Sequence, residues 1–235
     1  MSMSEIIAEI GQNHNGDMGL ARELIHAAKE NGADAAKFQL YDAEALFPKK
    51  NNPWYDYNCQ TELSRDQILE LATECRRVKI EFMSSVFDIE RINWLEDINV
   101  KTHKVASRSI TDTSLIKALG KTGKRILVSL GMWKESNFPI IPSNGKVEFL
   151  YCISDYPTSL KDIKFSKVDF KQYAGFSDHT IGITAPSVAL ARGARIIEKH
   201  FTLDRTSYGP DHAGSMTPDE LAFLNKFRCE FEQCL

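Results

Sequence analysis

Residues 6–40 read IIAEIGQNHNGDMGLARELIHAAKENGADAAKFQL. The first five are β-rich and predict a strand over 6–10. From Met18 to Asn31 the apolar period changes. Ala21, Leu24, Ile25 and Ala28 stand at i, i+3, i+4 and i+7, which is one face of a helix. Asn31-Gly32 supplies a stop signal, and residues 35–40 read as a second strand. A strand, a helix and another strand in so short a stretch form the repeating unit of a parallel sheet.

The rest of the chain repeats that unit. A connection of about twenty residues leads to Ser64, which makes a capping box with Gln67 ahead of a helix carrying Ile68, Leu71, Ala72 and Cys75. Further strands are predicted over 81–85, 101–107, 125–130, 147–153, 173–177 and 195–200, with helical patterns between most of them. At the end Thr217 caps, Pro218 takes the first helical position and Glu220 completes a second box. Eight strands with crossovers close naturally into a (β/α)8 TIM barrel, an α/β fold. A doubly wound open sheet is the rival, weakened because no Gly-x-Gly-x-x-Gly follows the first strand. One unit is irregular: residues 132–146 hold Pro139, Pro142 and Gly145, so the crossover after the fifth strand reads as a loop. With no linker, repeat or low-complexity segment, residues 1–235 are expected to form one domain.

Composition bounds the function. A chain with 43% hydrophobic and 26% charged residues is that of a globular protein rather than a disordered one. Its 29 basic and 32 acidic side chains give a formal net charge of −3, with no basic excess to draw nucleic acid or an anionic membrane. The longest apolar runs, such as 126–130 and 183–191, fall far short of the ~20 residues that span a bilayer. The segment from Met1 to Glu9 lacks a basic start, which argues against a leader. Cys59, Cys75, Cys152, Cys229 and Cys234 include no Cys-x-x-Cys, so a disulfide framework or a cysteine zinc site is not expected and a cytoplasmic location is.

A barrel keeps its chemistry at the C-terminal ends of the strands, and polar residues gather there. Lys37 and Lys104 interrupt apolar strands, where an unpaired ammonium would be costly. Each either pairs with an inward Glu, Glu9 or Glu198, or forms an anion pocket with the serines of neighbouring strand ends. His179 and His200 end adjacent strands, so they can converge on a divalent metal, with Asp211 or Glu9 supplying oxygen or holding a water. His14, in an Asn-His-Asn-Gly loop, reads equally as part of a turn.

Seven segments then resemble the N-acetylneuraminate (sialic acid) synthase family: AEIGQNHNG (8–16), GADAAKFQ (32–39), KVAS (104–107), SLGM (129–132), FSDHTIG (176–182), EKHFTLD (198–204) and GPDH (209–212). They run in order over nearly the whole chain. The resemblance implies a TIM-barrel transferase that condenses phosphoenolpyruvate with an N-acylated aldose such as N-acetylmannosamine. The products would be phosphate and a nine-carbon 2-keto acid, a nonulosonic acid of carbohydrate biosynthesis. It implies a divalent cofactor, Mn2+ or Mg2+, on His179 and His200. It places phosphoenolpyruvate on Lys37, Ser85, Lys104, Ser107, Ser129 and Ser177, the sugar near Gln39, Tyr156 and Asp211, and Glu9 as the carboxylate beside metal and aldehyde. Small-molecule substrates are the expected partners, without nucleic acid or membrane, and a homo-oligomer is expected on family grounds.

Three departures accompany the resemblance. The family carries a C-terminal antifreeze-like domain that contributes an arginine to the sugar pocket, and none follows Leu235 in this sequence. Arg108-Ser109 stands where the family has Gly-Glu. Ser154 stands where characterised synthases carry Asn. The acceptor is therefore expected to differ from N-acetylmannosamine. Arg108 favours a carboxylate or phosphate if it turns inward, and nothing if it points to solvent. The rival functions are a synthase for another aldose, such as a phosphorylated one, and a catalytically idle binding barrel serving as a partner subunit.

Overall fold

A computed structural model describes residues 4–235; the first three residues of the segment read for a leader lie outside it. Eight parallel strands close into a barrel in sequence order: β1 Glu5–Gly11, β2 Ala35–Leu40, β3 Glu81–Val86, β4 Thr102–Val105, β5 Arg125–Ser129, β6 Val147–Cys152, β7 Gly175–Asp178 and β8 Ile196–His200. The ring is sealed by β1 pairing with β8, Glu5 opposite Ile196 and Glu9 opposite His200. The expected TIM barrel is the observed fold, and the open sheet is not.

Helices cover the strands where the sequence carries caps. Asp17 accepts the backbone N–H groups of Gly19 and Leu20 to start α1, Met18–Glu30. The Ser64–Gln67 box starts α4, Arg65–Val78, and the Thr217–Glu220 box starts α8, Pro218–Glu232. Between α1 and α4 the long connection holds two short helices, α2 (Ala43–Leu46) and α3 (Tyr55–Gln60), and α5 (Ile89–Asp97), α6 (Thr113–Lys121) and α7 (Thr184–Ala191) complete the shell. Between β5 and β6 the chain forms a loop, as its prolines imply. Between β6 and β7 it forms only two 3-10 turns, Leu160–Asp162 and Phe165–Lys167. Aromatic side chains shield the barrel where those helices are missing. Phe138 packs on Phe149 and Tyr173 with ring centroids 5.0 and 4.8 Å apart, and Phe165 packs edge-on against Phe176 at 5.1 Å.

Strand alternation sorts the interior into layers. At the N-terminal end Arg125 binds Glu5 and Glu148, plugging the barrel with paired charge. Above it Ile7, Ala35, Met83, Leu127, Leu150, Ala174 and Ile196 form a compact apolar layer. The next inward residues, one pleat further along each strand, are Glu9, Lys37, Ser85, Lys104, Ser129, Cys152 and Glu198. The barrel is packed below this layer and open above it.

Candidate active site

The upper layer surrounds an inner cavity of about 60 Å³. Lys37 and Lys104 are both buried in its wall. Lys37 Nζ lies 2.7 Å from Glu9 Oε2 and 3.5 Å from Glu198 Oε2, and it donates to Ser85 at 3.1 Å. Lys104 Nζ donates to Ser129 at 2.7 Å and lies 3.5 Å from Glu198 Oε1, which accepts from Ser177 at 2.9 Å. The lysines thus do pair with inward glutamates, and they also face the strand-end serines.

The two ammonium groups are not equivalent. Burial depresses both, but Glu198 and Glu9 reverse the effect at Lys37, whose pKa is raised. At Lys104 burial wins, and the neighbouring Lys37 charge adds to it, so its pKa falls below the ordinary lysine value. Glu198 is the counterpart. Burial raises its carboxyl, and Lys104 and Lys37 together outweigh burial and hold it below the usual carboxylate range. Glu198 appeared in the sequence only as a possible lysine partner; its position one pleat below His200 on β8 was the available signal.

Ser107 occupies a different setting from the one its sequence implied. A strand running through residue 107 would turn Lys104 and Ser107 to opposite faces. Instead β4 ends at Val105, and a 3-10 turn over Ser107–Ser109 rotates Ser107 inward. There its Oγ accepts from the Gly131 N–H at 3.0 Å and lies 3.6 Å from Cys152 Sγ. Gly131 permits this close approach, since a Cβ there would fall 2.4 Å from Ser154 Oγ.

His179 and His200 meet at the mouth with ring centroids 5.8 Å apart. His179 Nδ1 sits 2.8 Å from the Ile153 carbonyl, which can only accept, so the proton is on Nδ1 and Nε2 carries the lone pair. Burial, reinforced by His200, pushes this imidazole down to about 3, keeping it neutral. His200 Nδ1 is buried with no hydrogen-bond partner and lies 3.8 Å from Asp211 Oδ2. Two imidazoles, one kept neutral and oriented by a carbonyl and one with an unpartnered ring nitrogen, are a donor set that a divalent transition metal accepts. Among the described residues no group of three or more His, Cys, Asp and Glu side chains is arranged to hold a metal.

Behind His179 lies a pair with no counterpart in the sequence reading. Lys199 and Asp178 are wholly buried and 2.7 Å apart, and Lys199 also donates to the Thr180 carbonyl. The pair binds β8 to the turn that carries His179.

Above the histidines an outer cavity of about 600 Å³ opens. Gln39, Tyr156, Ser154 and Asp211 line it. Gln39 donates to Glu9 Oε1 at 3.0 Å, and Tyr156 packs over His179 at 4.1 Å between centroids. Gly11 keeps the floor clear where β1 bulges: its φ is +56°, and a Cβ would press 3.1 Å from Gln39 Nε2. Arg108 lines this cavity, whereas its neighbour Ser109 is buried and lines neither cavity. His14 is also outside both. It is buried in the turn after β1, where its Nδ1 accepts from the Gly16 N–H at 3.1 Å, so the turn reading of that loop is the right one. No helix among the described residues is long and apolar enough to cross a membrane.

Comparison with known proteins agrees with the barrel. The NeuB family matches residues 24–235. An uncharacterised protein of Methanocaldococcus jannaschii is 40% identical over 228 residues, spanning 92% of this chain and 67% of that protein. The N,N'-diacetyllegionaminic acid synthase of Legionella pneumophila is 36% identical, with 93% and 69% of the two chains covered. The crystal structure of the N-acetylneuraminic acid synthetase of Leptospira borgpetersenii, in complex with citrate, superposes with a TM-score of 0.92. It is 32% identical, over 99% of this chain and 85% of that one.

Proposed function

Because this chain belongs to the NeuB family, we propose that it is a sugar-acid synthase joining phosphoenolpyruvate to an aldose, with water, to give a 2-keto-3-deoxy sugar acid and phosphate. The observation that carries the reading is the buried Lys37–Lys104 wall with its serines, set directly beneath His179 and His200. A phosphate and a carboxylate on one small molecule need such a wall. Lysines supply charge, and hydroxyls supply donors that add no further charge.

In this reading Lys104, Ser129, Ser107 and Ser177 hold one anionic group of the donor, and Lys37 with Ser85 the other. That fixes the enol carbon toward the mouth. His179 and His200 would hold a divalent metal, Mn2+ or Mg2+, which when bound supplies a Lewis acid for the acceptor aldehyde. The enol carbon bonds to the aldehyde carbon. Water then adds to the carbon bearing the phosphate oxygen, and that carbon–oxygen bond breaks to release phosphate. Glu9, held by Gln39 on one oxygen and facing Lys37 with the other, is the carboxylate placed to take the proton from water and pass it to the alkoxide formed from the aldehyde oxygen. The lysines offset negative charge as the tetrahedral intermediate collapses.

The test is phosphate release from phosphoenolpyruvate across a panel of N-acylated and phosphorylated aldoses with Mn2+ or Mg2+. Release is expected only when donor and aldose are both present. Lys104→Met retains most of the apolar stem and removes a charge-assisted bond worth roughly 1.5–3 kcal/mol, so kcat/KM for phosphoenolpyruvate should fall about ten- to a hundredfold. Calorimetric binding of phosphoenolpyruvate without turnover on any aldose would identify an idle binding barrel. Unaltered binding in Lys104→Met would move the anion pocket elsewhere.

A further inference from the structure

The outer cavity contains a cation that the chemistry beneath it does not use. The Arg108 guanidinium lies over the Phe47 ring at 5.2 Å from its centroid and near the Phe87 ring at 6.0 Å, with Nη2 3.4 Å from the Leu46 carbonyl. Among the described residues no carboxylate comes within ion-pair distance of it. Arg91, by contrast, is paired with both Glu62 and Asp88. Two phenyl faces thus hold the planar fork in place, and its charge remains unanswered. Held this way it loses little further freedom on binding, and its geometry matches the two oxygens of a phosphate or carboxylate. The side chain is exposed, so the guanidinium is open to an incoming anion.

Position completes the argument. The same cavity is lined by Asp211 and by His200 and Tyr156, the last two of which also line the donor pocket. An aldose whose carbonyl reaches the histidines has to extend its other end into this cavity. Ser154 Oγ, buried without a hydrogen-bond partner, supplies an additional polar contact in the same wall.

We propose that Arg108 selects an acceptor aldose carrying an oxyanion, a phosphate ester or a carboxylate, at the end away from its reacting carbonyl. This rests on the synthase reading above and names the class of acceptor that reading leaves open. The decisive comparison uses N-acetylmannosamine, its 6-phosphate and its 6-carboxylate, assayed with wild type and Arg108→Met. Wild type is expected to favour one of the anionic aldoses at least tenfold in kcat/KM, and the preferred member tells phosphate from carboxylate. In Arg108→Met that preference should drop about ten- to a hundredfold, with the loss falling on KM for the anionic aldose rather than on KM for phosphoenolpyruvate. A preference that survives the substitution, or wild type favouring the neutral sugar, overturns the assignment. Should no aldose turn over at all, the synthase reading fails, and calorimetry of the 6-phosphate and the 6-carboxylate still tests Arg108. Failure of both to bind wild type, or equal affinity in wild type and Arg108→Met, then overturns it.

Discussion

Replacing Lys199 should damage this protein more than replacing any exposed lysine. Lys199 and Asp178 are both wholly buried, 2.7 Å apart. Breaking such a pair from one side strands the other charge and costs about 3–5 kcal/mol. The structure ranks the two sides. After Lys199→Met, Asp178 keeps the Thr180 N–H at 2.9 Å and the Thr180 hydroxyl at 3.2 Å, which places this variant near ~3 kcal/mol. After Asp178→Ala, the ammonium keeps only the Thr180 carbonyl, which places that variant near ~5 kcal/mol. For a chain of this length each kcal/mol lowers Tm by roughly 2–4 °C. Thermal unfolding followed by circular dichroism should therefore show falls of roughly 6–12 °C and 10–20 °C. The double variant Lys199→Met/Asp178→Ala should recover part of the loss, because a buried pair replaced by neutral groups leaves no stranded charge. Single-variant losses within about 1 kcal/mol, or a double variant equal to the sum of the singles, would refute the reasoning. The same pair anchors the turn carrying His179, so Lys199→Met assayed well below its Tm should also turn over more slowly.

Two further outcomes follow from the histidines. His179→Ala and His200→Ala should each lower bound Mn2+, measured by atomic emission after desalting, while circular dichroism stays native; full occupancy in the double variant would remove both from the metal site. Burial pushes His14 down to about 4 from an ordinary value near 6.5. The unfolded chain therefore takes a proton between those values that the folded chain refuses. The stability this neutral group contributes is complete above pH 6.5, is lost as pH falls toward 4, and amounts to about 3 kcal/mol. Urea unfolding across that window should show a shallower loss in His14→Gln than in wild type, and identical slopes would exclude His14 as a source of acid sensitivity.

Much of the architecture was legible because barrel units are local. The strand–helix–strand reading of residues 6–40 depends on periodicity, caps and one Asn-Gly stop, all of which act within a few residues. The helix missing after β6 was not legible. Phe165, Phe170 and Tyr173 replace it by covering the barrel directly, and that is a tertiary choice. Convergence at the mouth was also legible, since adjacent strand ends must bring His179 and His200 together. What strand parity could not supply was Ser107, which a turn rotates inward beyond the end of β4, and the division of labour between Arg108 and Ser109. Residues within one tight turn face directions that no two-residue period predicts.

The pairing of Lys37 and Lys104 shows why position alone does not settle the chemistry of a buried charge. Two ammonium groups and the carboxylates of Glu9 and Glu198 share one layer, so the wall is close to neutral as it stands. A dianionic or trianionic donor cannot simply add to it; some of the existing contacts must be exchanged. The distances say which. Lys37 is engaged at 2.7 Å by Glu9, whereas Lys104 has no carboxylate oxygen nearer than 3.5 Å and carries the depressed pKa. An anion placed beside Lys104 therefore relieves an unfavourable burial, while one placed beside Lys37 competes with a bond already made. Ser129, already within 2.7 Å of Lys104, can turn its hydroxyl to the same anion without altering the charge balance. The asymmetry makes Lys104 the stronger anion site of the two, while Lys37, the weaker one, also holds Glu9 where a proton has to be taken.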